Sequence, residues 1–173
     1  GQPLTADDFV YSFRRLLSPR LGSEASDLLH VIRNAEAYNE GGIDDFAEVG
    51  IAAPNPHRLE LILEYPAPYL LSMLAGSAFF PVNRTAVEAG GAYDDNQNRW
   101  ATVGTYVGNG PFLLSEWRIN QFVLLERNPQ YWDAANVALN AVRFVPLVDQ
   151  DAELQAFLDG KVHATTSIPD TNL

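Results

Sequence analysis

Cysteine is absent from this 173-residue chain, so neither a disulfide nor a thiolate metal site is open to it. Lysine is almost absent as well. Lys161 stands alone, and 22 acidic residues against 11 basic ones give a net charge of −11. Nucleic acids and anionic membranes are gripped by clustered Lys and Arg, so neither is an expected partner. Long apolar runs are missing too. The most apolar windows, such as Phe79 to Val82, are broken by proline or polar residues, well short of the about 18 residues a bilayer span needs. Gly1-Gln2-Pro3-Leu4 leads straight into a helix cap, without the pattern of an export leader. What remains is ordinary globular material, 47% hydrophobic and 19% charged, enough for one domain or one and a half.

Leu4-Thr5-Ala6-Asp7-Asp8-Phe9 is a helix start, with Thr5 as N-cap and the Asp8 carboxylate reaching back to it. Phe9, Val10, Phe13, Leu16 and Leu17 share one face, acidic residues open the helix, and Arg14 and Arg15 close it before Pro19. A second helix is expected from about Glu24 to Glu40, since Leu28, Leu29, Ile32, Ala35 and Tyr38 recur at helical spacing. Val49 to Ala53 and Arg58 to Glu64 read as two strands around Pro54-Asn55-Pro56-His57, with Leu59, Leu61 and Leu63 on the buried face. Short helices are expected at Tyr69 to Ala75 and after Asn83. Ala92 to Thr102 reads as a solvated surface loop.

Beyond it, Val107-Gly108-Asn109-Gly110-Pro111-Phe112 is a glycine turn feeding a hairpin, Phe112 to Trp117 and Gln121 to Arg127, closed by an Asn128-Pro129 corner. Asn140 to Leu147 is a further strand. Asp149 to Leu158 is a helix with Ala152, Leu154, Phe157 and Leu158 facing inward, and Lys161 to Thr166 is a last strand. The aromatics Tyr106, Phe112, Trp117, Tyr131 and Trp132 read mainly as core. The change of pattern places a domain boundary near residues 102 to 108, giving domains 1–105 and 106–173. The fold class is mixed α/β: an α+β domain, then part of an α/β lobe built as a hairpin followed by strand, helix and strand.

Little in the chain is arranged for chemistry. His30, His57 and His163 are far apart, and no two take a metal-binding spacing. No serine sits in a nucleophile elbow. Asp94, Asn96 and Asn98 match the first, third and fifth places of a calcium loop, but Arg99 and Thr105 replace the glycine and glutamate it needs. Gly108-Asn109-Gly110 lacks the Lys-Ser/Thr and the helix that a phosphate loop requires. Its glycines are expected to permit an unusual turn, either a plain hairpin entry or one lining a cleft. Neither a catalytic group, a metal nor a cofactor is expected.

Several segments, in order, resemble the extracellular solute-binding proteins that serve as receptors of oligopeptide and dipeptide ABC importers. They are Gly1 to Leu16, Arg58-Leu59-Glu60-Leu61 with Tyr65-Pro66-Ala67-Pro68-Tyr69, Phe80-Pro81-Val82-Asn83, Gly108 to Phe112, Glu126 to Asp133, and Phe157-Leu158-Asp159-Gly160. The resemblance spans nearly the whole chain. It implies a type II periplasmic-binding-protein fold, two lobes enlarged by an extra domain and closing over a peptide. Residues 1–105 would be most of that extra domain and 106–173 part of the first lobe, in a fragment of a longer chain. It further implies a monomer that captures a peptide or small solute, passes it to a membrane permease and catalyses nothing. Such a receptor works in the periplasm or outside the cell, lipid-anchored if the full protein is a lipoprotein. Within the family a nickel complex, haem, a sugar or an opine is the alternative ligand; outside it, a hydrolase is the rival. Tyr106, Asn109 and Gly110, at the expected domain junction, are the ligand-binding candidates.

Overall fold

The computed structural model describes residues 2–167 and residue 169. The chain divides into two compact units, residues 1–110 and 111–173.

Unit 1 is organised on α1 (Ala6–Leu16). The Asp8 carboxylate accepts from the Thr5 N–H at 2.7 Å and from Thr5 Oγ1 at 3.1 Å, closing the reach-back bond that the cap motif calls for. The apolar stripe of α1 is buried through Phe13, and Leu17 just beyond it is buried as well. They pack with Leu29, Ile32, Ala35, Ile51 and Phe79 into one cluster, which Phe9, Val10 and Leu16 flank. Beneath α1 lies an antiparallel hairpin, β1 (Ile51–Asn55) and β2 (Arg58–Leu61), in register Ile51 to Leu61. Leu59, Leu61 and Leu63 face the core, as their alternation requires.

The expected helix from Glu24 to Glu40 does not form. A 3₁₀ turn covers Ser26–Leu29, and only α2 (Ala35–Asn39) is α-helical. Between them the backbone pairs with the hairpin instead. Arg33 N–H donates to Ile62 O, Glu64 N–H to Val31 O and Gly50 N–H to Arg33 O, each at 2.9 Å, and Ile32 bridges Leu63. Asn34 then turns the chain in the left-handed region at φ 61°. The ladder bonds replace those a helix would make, and burying Leu29, Val31 and Ile32 in the core outweighs a helical preference of a few tenths of a kcal/mol per residue. Two short helices follow, α3 (Leu70–Met73) and α4 (Arg84–Ala89), the latter capped by Asn83 Oδ1 accepting from the Ala86 N–H.

Unit 2 is an antiparallel sheet in the order β3 (Phe112–Arg118), β4 (Phe122–Arg127), β5 (Ala141–Phe144). Asn120, at φ 59°, makes the β3–β4 turn, and β3 is irregular between Leu114 and Glu116. The Asn128 corner is buried and its N–H donates to Pro111 O, tying the end of the hairpin to its start. α5 (Gln150–Leu158) follows. Three expectations fail in this unit. Lys161 to Thr166 forms no strand, so the strand–helix–strand crossover is not made. A strand exists only through a paired neighbour, and here the Thr166 N–H and hydroxyl donate instead to the Glu153 carboxylate. The inward face of α5 is not inward: Phe157 is 45% exposed and Leu158 68%. Nor are the tryptophans core, with Trp117 at 52% and Trp132 at 85% exposed, while Phe112 and Tyr131 are half-buried. One short sheet and one helix do not have the surface to cover them. Together the units make a mixed α and β fold with open sheets.

Candidate functional site

The segment between α4 and the end of unit 1 has no regular structure, yet it is not the solvated loop its composition describes. Asp94 is only 6% exposed. Its carboxylate accepts from Ser18 Oγ at 3.4 Å and pairs with the Arg20 guanidinium at 3.5 Å. Next to it the Arg15 guanidinium donates to the Tyr93 carbonyl, and the Arg14 guanidinium stands 5.0 Å from the Tyr93 ring. Burial lowers the pKa of Arg15, against the opposing pull of Tyr11, Asp94 and Asp95. Acidic and aromatic groups of the loop thus meet the basic end of α1, which explains the burial of a carboxylate. With Asp94 held by Ser18 and Arg20, the calcium-loop pattern is absorbed by docking.

From that anchor the chain reaches Asn98, whose amide makes three hydrogen bonds. Nδ2 donates to Val87 O at 2.8 Å and Ala92 O at 3.0 Å, while Oδ1 accepts from the Trp100 N–H at 3.0 Å. Gly90, which ends α4, gives this amide room. A Cβ there would stand 2.3 Å from Asn98 Oδ1 and 3.0 Å from the Trp100 nitrogen. Its φ of −85° is open to any residue, so close approach is what demands glycine.

Next, Thr105 Oγ1 donates to Trp100 O at 2.9 Å, and the Tyr106 N–H donates to Thr102 O at 2.9 Å. These bonds fold residues 100 to 106 back on themselves and stack the two rings, centroids 5.8 Å apart and planes 29° apart. Tyr106 is 41% exposed and Trp100 half-buried. Asn109 is exposed and Gly110 half-buried, both outside the ring stack. The glycine turn itself departs from expectation, because neither Gly108 nor Gly110 has a positive φ. At Gly108 the requirement is again space, since a Cβ would lie 2.8 Å from the Tyr106 hydroxyl.

Of the three sequence-derived candidates, then, Tyr106 gains a built environment. Sequence reasoning gave Trp100 and Gly90 no part in a site and met Asn98 only as a place in the rejected calcium loop. A side-chain amide followed two residues later by a tryptophan, inside an irregular acidic segment, was the signal available. The histidines stay apart. His30 Nε2 lies 3.2 Å from Asn39 Oδ1, whose amide donates to Leu17 O, and His57 and His163 are exposed. Among the described residues no three His, Cys, Asp or Glu side chains gather where a metal ion could be held. Among the same residues no helix is long and apolar enough to cross a membrane. Unit 2 carries a shallow apolar groove lined by Trp117, Ile119, Phe122, Phe144 and Pro146. The Arg118 and Arg143 guanidinium groups stand 5.4 and 4.0 Å from the Phe122 ring.

The profile of the bacterial extracellular solute-binding proteins, family 5 Middle, matches residues 1–173. Among curated relatives, the dipeptide-binding protein DppE of Bacillus subtilis is 36% identical over 163 residues, covering 94% of this chain and 28% of DppE. The periplasmic murein peptide-binding protein MppA of Escherichia coli is 34% identical over 171 residues, 98% of this chain and 30% of MppA. Among solved structures, OppA of Burkholderia pseudomallei superposes with a TM-score of 0.89 at 32% identity, over 98% of this chain and 32% of OppA. The chain therefore spans about a third or less of the length of the relatives it matches. On a match that runs from its first residue to its last, the chain belongs to the bacterial extracellular solute-binding proteins of family 5.

Proposed function

We propose that this chain is part of a receptor that captures peptides outside the cytoplasm and delivers them to an ABC-type import permease. The observation that carries the reading is the family match over residues 1–173, together with relatives named for dipeptide and murein-peptide binding. Residues 1–105 serve as the extra domain of such a receptor and residues 106–173 as part of a lobe. The receptor acts as a monomer, in the periplasm or outside the cell, without nucleic acid and without catalysing a reaction. Peptide is held through its main chain, and those hydrogen bonds strengthen as bulk water leaves a closing cleft. Tyr106, Asn109 and Gly110 border that cleft. Tyr106 supports the assignment best, because its ring offers an apolar face and a hydroxyl from a braced loop.

Calorimetry on the full-length protein with a library of di- to pentapeptides tests the function. Binding at micromolar affinity or better is expected, and Tyr106→Ala weakens it by about tenfold, the scale of one or two lost contacts. Affinity for none of the peptides would overturn the reading. Residues 1–173 alone are expected to bind the same peptides weakly or not at all, so micromolar binding by this segment would contradict a cleft shared with the rest of the receptor.

A further inference from the structure

Between α4 and Tyr106 a continuous series of hydrogen bonds converges on one side chain. Asn98 joins Val87 O and Ala92 O to the Trp100 N–H through a single amide. An amide is the group this position needs, because it donates twice and accepts once along one planar edge. Aspartate has the same shape but offers no donor, and leucine offers neither function. Gly90 leaves the space in which that amide sits. Trp100 is held on its other side by Thr105 Oγ1, which also meets Thr102 Oγ1 at 2.8 Å. The indole in turn supports the Tyr106 ring.

From this arrangement we infer that Asn98 is a positioning residue for ligand binding. It fixes Trp100, and through the ring stack it sets the direction in which Tyr106 presents its face and hydroxyl. Asn98 touches no ligand itself. The inference rests on the reading of Tyr106 as a cleft residue and adds the residue that aims it. Docking of Tyr93 onto Arg15 of α1, and of Asp94 onto Ser18 and Arg20 just beyond it, fixes where the loop begins. The Asn98 amide fixes how it ends. A loop joined at its start alone would leave residues 95 to 106 free to fluctuate, and ordering a ring only on binding costs affinity.

The test uses the full-length protein and the same peptide library. Near-ultraviolet circular dichroism, as the difference between wild type and Trp100→Phe, isolates the signal of the stacked pair. Asn98→Ala is expected to abolish that signal and to weaken peptide binding by about tenfold, matching Tyr106→Ala. Thr105→Val removes the contacts of Thr105 Oγ1 with Trp100 O, Thr102 Oγ1 and Thr102 O, leaves the Asn98 amide in place, and is expected to reduce both readouts in the same direction. Thr105→Ser, which keeps the hydroxyl, restores them. Thr105 is exposed, so this pair keeps the test informative if Asn98→Ala does not fold. Weakened binding in Tyr106→Ala, with wild-type binding and ring signal in Asn98→Ala or Thr105→Val, overturns the inference alone. A lowered melting temperature with both readouts unchanged overturns it as well, marking Asn98 as structural only. Wild-type binding in Tyr106→Ala overturns the reading of Tyr106 and the inference with it.

Discussion

Tyr11 carries its hydroxyl into a half-buried site on α1, where Oη finds no hydrogen-bond partner. Its ring lies 6.3 Å from that of Tyr93, and the Arg84 guanidinium stands 5.3 Å away over its face. The ring therefore contributes packing while the hydroxyl contributes only a desolvation cost. Tyr11→Phe keeps the packing and removes that cost, so the melting temperature at neutral pH is expected to hold or rise, by up to about 1 kcal/mol of stability. Burial, followed by the Glu88 carboxylate, raises the Tyr11 pKa above its ordinary value. The folded state thus holds the phenolic proton more tightly than the unfolded chain does. That contribution is intact below the unfolded value near 10 and is lost as pH climbs through the folded one. In Tyr11→Phe the onset of alkaline unfolding shifts upward. A melting temperature lowered at neutral pH would mean that the hydroxyl is hydrogen-bonded after all.

Among the elements, α1 shows why some of the fold was legible and some was not. Its cap, its stripe and its terminal charges are all local, so sequence alone places its start after Thr5 and its end ahead of Pro19, where the helix Ala6–Leu16 lies. Residues 24 to 40 carry the same helical spacing, but Val31 and Arg33 meet the backbone at Gly50, Ile62 and Glu64, and such distant pairing leaves no periodic trace. The site divides in the same way. Tyr106 stood out as an aromatic beside a glycine turn, whereas the partners of Asn98 lie on α4 and at Ala92 and carry no motif. Ser12 is another such long-range link. Buried on α1, it donates to Asp8 O at 2.6 Å and accepts from the Val82 N–H at 2.9 Å, fastening the chain just ahead of α4. Ser12→Ala leaves that N–H without its acceptor, which costs about 1–3 kcal/mol. Denaturant melts would show the loss as a lower midpoint at unchanged slope, whereas a change under about 0.5 kcal/mol would mean that Val82 finds water instead.

At the scale of the whole molecule the two units are unequal in what they bury. Among the described residues every buried hydrophobic side chain, from Ala6 to Val87, belongs to unit 1. Among the described residues of unit 2 only Asn128 and Pro169 are buried, while Trp117, Ile119, Phe144 and Val148 are exposed. The strands of unit 2 are well paired, β3 with β4 from Phe112–Arg127 to Arg118–Phe122, with one irregularity between Leu114 and Glu116. Ladder bonds alone contribute little, because the unfolded chain makes equivalent bonds to water. Stability comes from apolar area removed from water, and a segment of roughly 60 residues is marginal even when well covered. Residues 1–110 expressed alone are therefore expected to melt cooperatively, with the near-ultraviolet dichroism of packed rings. Residues 111–173 alone are expected to show no cooperative transition and to bind a hydrophobic dye through the exposed face. A sharp melt in that second segment without dye binding would require a source of stability other than apolar burial. If instead residues 1–110 failed to melt cooperatively, the cluster around Phe13, Leu17 and Ile32 would not be the centre of an independent unit.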